Sequence, residues 1–339
     1  LAPTKRRRKP PPAFFDEKTR GGMTSVSLRR KHKLTGKKVW PYLFLIPFFV
    51  IYLSFNFYPL IYSFVISLTQ WDGFTEPVFV GLSNFVNIFT DDPYFLKSIG
   101  NTLLFMLFNA PFVLIGGLIL ATMLNSKLIR GRNVFQLATF LPYLTIPVAI
   151  GVLFMLLFDW NSGLINRIFV SLGIFQEPVN FLGLPGPARF VVIMMINWKY
   201  IGYHAVFFSA GITSIPVELY ESAEVDGASA FVKFRKITIP MLRPIIEFLL
   251  IMNIINGFQL FDEVKVLFSP WLSASGGAGT IGGPDRAALT AVWNLYDTSF
   301  GTQMQYGKGA SIAYGLFLFI LLFSLVALFI LKRTNREEV

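Results

Sequence analysis

Residues 218–243 read ELYESAEVDGASAFVKFRKITIPMLR, a polar, charged island between two long apolar runs. Glu218, Glu221, Glu224 and Asp226 cluster early, and Lys233, Arg235 and Lys236 come later. Early acids and later bases suit the dipole of a helix. Pro216, just ahead, fits the first turn that proline tolerates. Gly227 is expected to tighten a turn between two short helices, and Pro240 to end the second. Taken alone, the segment reads as an interfacial amphipathic helix pair. What flanks it decides the fold.

The flanks are apolar. The chain of 339 residues is 54% hydrophobic and only 14% charged, where a soluble domain carries about a quarter charged residues. The apolar residues fall in runs near the length of about 20 that spans a bilayer as a helix. Six spans are expected, at roughly Val39–Leu68, Ile99–Leu124, Val134–Phe158, Phe190–Ile212, Ile245–Phe261 and Ala310–Leu331. Pro47 and Pro59 interrupt the first and Pro142 and Pro147 the third, which membrane helices tolerate when neighbours satisfy the freed backbone groups. The chain is therefore read as an all-α membrane protein. It has no cysteine, so disulfides and cysteine metal sites are excluded.

The net charge of +11 would point to nucleic acid in a soluble protein. Here the basic residues sit between apolar runs, so no nucleic-acid partner is expected and the orientation rule applies instead. Residues 1–38 hold thirteen of the thirty Lys and Arg. Lys127, Arg130 and Arg132 follow span two, Lys233, Arg235, Lys236 and Arg243 follow span four, and Lys332, Arg333 and Arg336 follow span six. Twenty-three of thirty thus fall on one side. That side is expected to be the cytoplasm, with both termini and residues 213–243 in it. Residues 1–38 are read as a basic, partly disordered cytoplasmic tail, 39–333 as the membrane domain and 334–339 as a second tail. The string from Lys5 to Lys9 also invites a localisation reading, which adjacency to a span makes less apt. No apolar run with a cleavage site is seen, so no cleaved signal peptide is expected.

Glu221, Ser222, Ala223, Gly227, Ile237 and Pro240 stand at the spacing of a known signature. The segment resembles the coupling loop of ABC importer membrane subunits: Glu-Ala-Ala, then Gly, then Ile-x-Leu-Pro. The resemblance covers about residues 40–333 and is closest to sugar-type permeases, relatives of the maltose and glycerol-phosphate transporter subunits. Phe140-Leu141-Pro142, Gly163 to Asn166, Trp198, Gly202 and Tyr203, Ala210-Gly211, Ile215-Pro216, Phe258 to Asp262 and Gly282-Gly283-Pro284 are similar to further family motifs. Ser222 stands where Ala is usual, and residues 269–281 resemble an insertion. The resemblance implies a type I importer permease with six spans, working by alternating access. It implies that Glu221, Ser222, Ala223, Asp226, Gly227, Ile237 and Pro240 meet an ATPase. The implied partners are a second homologous permease, two ATPase subunits, an extracytoplasmic solute-binding protein and the bilayer of a bacterial or archaeal inner membrane. ATP and magnesium would be used by the partner ATPase, with no cofactor bound by this chain.

Span five carries Asn253, Asn256, Gly257 and Leu260, on one helical face by spacing. Amide side chains are costly in lipid, so that face is expected to meet the bundle interior or a water-filled cavity. Span four offers Asn197, Tyr200, Tyr203 and His204 on a comparable face. Tyrosine rings stack on sugar rings and their hydroxyls still hydrogen-bond. Each residue alone could equally be interhelical glue. In the maltose-type relatives the sugar pocket uses positions matching Tyr200, Tyr203, Asn253, Asn256, Gly257 and Leu260, so the resemblance implies a substrate role for these six.

Lys199, inside span four, needs a partner; Asp262 or Glu263 could supply one, or the lysine could meet an anionic substrate. Metal chemistry is not expected with two histidines and no cysteine. Gly301 to Gly307-Lys308-Gly309 superficially resembles a phosphate loop, but the spacing is one residue too long and no Ser or Thr follows the lysine. An ATP-driven sugar importer subunit is therefore the expectation. A permease for an anion such as glycerol phosphate is the alternative, and a secondary transporter, which would favour repeats and midplane acids, is the more distant rival.

Overall fold

The computed structural model describes residues 40–126, 129, 131–268, 281–301 and 304–336. The expected tail 1–38, Lys127, Arg130 and most of the 269–281 insertion lie outside the described residues. The chain divides into two units, one up to Phe57 and one from Tyr58 onward. The division falls inside the first expected span.

In the first unit, α1 (Trp40–Tyr52) contains Pro47 and leads into a π-turn, Leu53–Phe57. Its described side chains are exposed and nearly all apolar, a composition for hydrocarbon and not for water.

The second unit begins with α2 (Tyr58–Ser67) and a minimal antiparallel hairpin, β1 (Thr69–Gln70) on β2 (Val78–Phe79). α3 (Ser83–Thr90) and the long α4 (Phe95–Leu124) follow. Then come α5 (Arg132–Leu144), α6 (Pro147–Leu157), α7 (Leu164–Ser171) and the long α8 (Pro185–Ser214). The charged island forms α9 (Val217–Val225), α10 (Ala230–Lys233) and a π-turn, Phe234–Thr238, that runs into α11 (Ile239–Phe258). α12 (Asp262–Leu267), a 3₁₀ turn at Pro284–Arg286, α13 (Ala291–Phe300) and α14 (Tyr306–Arg336) complete it. α14 thus continues three residues into the segment read as a tail.

Among the described residues five helices are long and apolar enough to cross a membrane, or six if α5 and α6 together make one span. That pair occupies the expected third span, Val134–Phe158, and the chain bends by 96° between its two helices. Thr145 and Ile146 take extended backbone, with ψ of 141° and 131°. Ile146 precedes Pro147, and the proline ring disfavours helical backbone at the residue before it.

The expectation that Pro240 ends a helix is corrected. Pro240 lies in the first turn of α11, and helix runs on from Ala230 to Phe258. The π-turn is the reason. Ile239 N–H donates to the carbonyl of Phe234, five residues back, and this wider turn absorbs a proline that a regular α-turn would reject.

α4 and α8 run parallel and pack along their length. Arg189 Nη2 donates to Asn101 Oδ1 (3.1 Å) near their starts, Asn109 Nδ2 to Asn197 Oδ1 (2.9 Å) midway, and Asn125 Nδ2 to Ser209 Oγ (2.9 Å) near their ends. Phe105, Phe154, Phe158 and Met195 are buried among α4, α6 and α8. α5 crosses α8 at Gly202, where a Cβ would overlap the carbonyl oxygen of Thr139. Outward faces invert the soluble pattern: Leu107, Phe112, Ile115 and Ile119 of α4 and Phe317, Leu318, Leu322 and Leu325 of α14 are all exposed. Contiguous apolar surface of this kind marks a membrane-facing wall.

Candidate functional site

α11 approaches α4 and α8 through its polar face. Asn253, Asn256 and Gly257 project from it, and Leu260 follows just beyond its end. Together with Tyr200 and Tyr203 they line one cleft. All six residues expected at a substrate site therefore come together. α4 contributes Phe105, Met106 and Asn109 to the same wall, which the sequence reading had not assigned there. The free space is about 20 Å³, room for about one water. Gly257 leaves that space open: a Cβ there would stand 3.3 Å from Met106 Cγ.

Asn253 and His204 are buried and face each other, with Asn253 Nδ2 3.5 Å from His204 Nε2. His204 Nδ1 lies 2.9 Å from the carbonyl oxygen of Tyr200. A proton on Nδ1 makes that contact a hydrogen bond and leaves Nε2 free to accept from the amide. Asn197, grouped with these residues by spacing, instead accepts from Asn109 and joins α4 to α8.

Tyr143 of α5 was missed. Its ring packs on Tyr203 at 4.5 Å between centroids and on Tyr200 at 5.9 Å, so three tyrosines form a tier beside the cleft. Its place one residue after Phe140-Leu141-Pro142 was the available signal.

Beneath Tyr200, Lys199 pairs with Glu263 of α12, both about 5% exposed. Of the two acids named as candidate partners, Glu263 is the one used. Lys199 Nζ also stands 5.2 Å from the Tyr200 ring centroid. On the far side of α12, a Cβ at Gly151 would stand 2.8 Å from the Glu263 carbonyl oxygen, so α6 packs tightly against this point.

At the other end of α11 lie the residues expected to meet an ATPase. Gly227 has φ of +72°. It closes α9, its N–H donating to Glu224 O while Ala228 N–H donates to Ala223 O. Ser229 caps α10 by accepting from Val232 N–H. Tyr220 and Thr238 share a hydrogen bond of 2.8 Å, tying α9 to the π-turn. Lys233 pairs with Glu224 at 3.2 Å. Glu221, Ser222, Asp226 and Pro240 are exposed, and Ala223 and Ile237 half-buried. No residue of α9 or α10 is buried, and Val225 is 89% exposed. This is a solvent-facing knob with apolar and acidic side chains.

Other motifs are structural. Asn166 donates to the carbonyls of Asp159, Trp160 and Val179 and accepts from Val179 N–H, stitching the loop around α7. Lys308, of the string compared with a phosphate loop, pairs with Asp92 at 2.8 Å. Among the described residues no group of acids and histidines could hold a metal. Away from the spans, Asp72 accepts from Thr75 N–H, Thr75 Oγ1 and Phe74 N–H, which lowers its pKa to about 2.

Comparison with known proteins places this architecture. Residues 113–336 match the family model described as binding-protein-dependent transport system inner membrane component. The chain is 35% identical to the arabinooligosaccharides transport system permease protein AraP of Bacillus subtilis, over 86% of this chain and 88% of that one. It is 35% identical to the sn-glycerol-3-phosphate transport system permease protein UgpA of Yersinia pestis, over 77% and 83% respectively. It also superposes, with a TM-score of 0.72 and 25% identity, on a chain of a bacterial ABC transporter involved in the import of the acidic polysaccharide alginate, over 88% of this chain and 96% of that one. With its bent third span, its exposed apolar walls and its knob below α11, the chain belongs to the binding-protein-dependent transport system inner membrane component family and is a multi-pass permease subunit.

Proposed function

We propose that this chain forms half of the translocation pathway of an ATP-driven sugar importer. The cleft among α4, α8 and α11 is the substrate contact, and α9–α10 is the contact for an ATPase subunit. One observation carries the reading. Tyr200, Tyr203, Asn253, Asn256, Gly257 and Leu260 come from two helices yet line one cleft. Phenol rings and amides are the groups that stack on sugar rings and bond their hydroxyls. The relatives' names, which include arabinooligosaccharide transport, support the same class of cargo.

The arrangement supports alternating access. At about 20 Å³ the cleft is closed to a sugar, because ligand sites run to about 300–1,000 Å³. A second, homologous permease across the pathway would supply the facing wall, and rocking of the helices would open the space. A solute-binding protein would deliver the sugar from outside, and the ATPase pair, using ATP and magnesium, would drive the motion through Glu221, Ser222, Ala223, Asp226 and Gly227, with Ile237 and Pro240 forming the base of the knob. This chain contributes no nucleotide chemistry of its own.

The test is uptake in cells carrying the complete transporter. Asn256→Leu removes a hydroxyl partner inside a dry cleft, and Gly257→Leu fills the space beside Met106. Each is expected to lower sugar uptake at least about tenfold, as loss of a buried hydrogen bond allows, while complex yield and basal ATP hydrolysis stay unchanged. Loss of assembly in both would make these residues helix–helix glue.

A further inference from the structure

We propose that this chain's side of the pathway is built for an uncharged, hydroxyl-bearing saccharide and discriminates against anionic solutes. The proposal rests on the cleft being the substrate pathway. Family membership does not decide the point. Similar proteins carry names that specify arabinooligosaccharides, sn-glycerol-3-phosphate and the acidic polysaccharide alginate.

The residues do decide it. Asn109, Asn253 and Asn256 bring amides to the cleft, and Tyr200 and Tyr203 bring phenols. Among its described lining residues there is no Lys, Arg, Asp or Glu. Lys199, next in sequence to Tyr200 of the wall, is buried against Glu263 on α12. A paired ammonium offers little net field to a third charge, and drawing it away would strand a buried carboxylate. His204 is the other candidate cation. Its Nδ1 is engaged by the Tyr200 carbonyl and its Nε2 faces the Asn253 amide, an arrangement that suits the neutral ring.

An anion entering this cleft would shed water and meet no counter-charge, and burying an unpaired charge is costly. A neutral sugar loses less water and finds donors and acceptors in amides, which serve as both. The tyrosine tier of Tyr143, Tyr200 and Tyr203 gives its ring faces a surface to stack on.

The experiment uses the assembled transporter in lipid nanodiscs without its binding protein, with a non-hydrolysable ATP analogue present to hold the cleft open, so that discrimination is read at the permease. Radiolabelled arabinotriose and sn-glycerol 3-phosphate are compared by equilibrium dialysis. Arabinotriose is expected to be retained at least about tenfold better, the scale set by one unpaired buried charge. Asn256→Lys, which places an ammonium in the cleft, is expected to reverse the order. Retention of sn-glycerol 3-phosphate equal to that of arabinotriose in the unaltered protein overturns the proposal, as does a failure of Asn256→Lys to raise it. Asn256→Leu separates the two layers. If it leaves arabinotriose retention unchanged, the cleft is not the pathway, and the reading beneath the proposal fails with it.

Discussion

Lys199 and Glu263 show how much a single buried pair can constrain. Removing one partner leaves the other charged and dry, so Lys199→Met is expected to cost about 3–5 kcal/mol. The measurement is the melting temperature and yield of the purified complex. The double variant Lys199→Met, Glu263→Leu should recover most of that loss, because a packed apolar pair of similar volume is often as stable as a buried ion pair. A double variant as unstable as the single one would mean that the lysine has a role beyond pairing. The sequence offered Asp262 or Glu263 as the partner, with an anionic substrate as the alternative, because a lysine inside an apolar run demands an anion. It could not choose between the two acids, since neighbouring residues on a short helix point about 100° apart and the phase of α12 depends on its packing. Tyr143 escaped for a related reason. Its value lies in contact with Tyr203 across helices; its place after Phe140-Leu141-Pro142 marks a motif but not that contact. Gly202 was legible only as part of a motif; its cause, the touch of the Thr139 carbonyl, belongs to the α5–α8 crossing.

Gly227 closes its turn in the left-handed region, and a Cβ there would meet nothing within 4 Å. A substitution therefore suffers backbone strain of about 1–2 kcal/mol and no clash. Gly227→Val should leave insertion and the yield of this chain unchanged while reducing substrate-stimulated ATP hydrolysis several-fold, by displacing α10 from α9. Glu221→Lys should do the same by reversing a charge on the exposed face, with its effect growing at low salt. Coupled hydrolysis at the unaltered rate in both would remove the knob from the mechanism. The existence of the helices was readable from apolar run length, because the bilayer sets that length. Which of the prolines break them was not. Both Pro147 and Pro240 are helix-interrupting residues by chemistry, yet one follows a 96° bend and the other sits in an uninterrupted helix. The difference is whether the turn before the proline can widen to a π-turn, as it does at Phe234–Thr238, or opens into extended backbone, as at Thr145 and Ile146.

At the level of the whole molecule, the basic bias predicts that the knob and both termini face the cytoplasm. The parallel course of α4 and α8 already puts the end of α4, the start of α5 and the knob on one side, with Arg132 Nη2 donating to Ser209 Oγ there (3.0 Å). A single cysteine at Ser222 in this cysteine-free chain should resist an impermeant reagent in intact cells and react after lysis; labelling from outside would invert the topology. Class and span count were written in composition and charge, because lipid imposes its demands on every residue of a span. The cleft was written only in spacing, because one helix face can be read from one strand of sequence but the face opposite cannot. The helix from Ala230 to Phe258 joins the two ends of this scheme. At 29 residues it is about 43 Å long, with the knob at one tip and Asn253 and Asn256 near the other. If an ATPase acts at the knob as proposed, the π-turn that carries the helix through Pro240 would also carry a displacement from the knob toward the cleft, and the stroke of the motor and the opening of the path would be one movement of one lever.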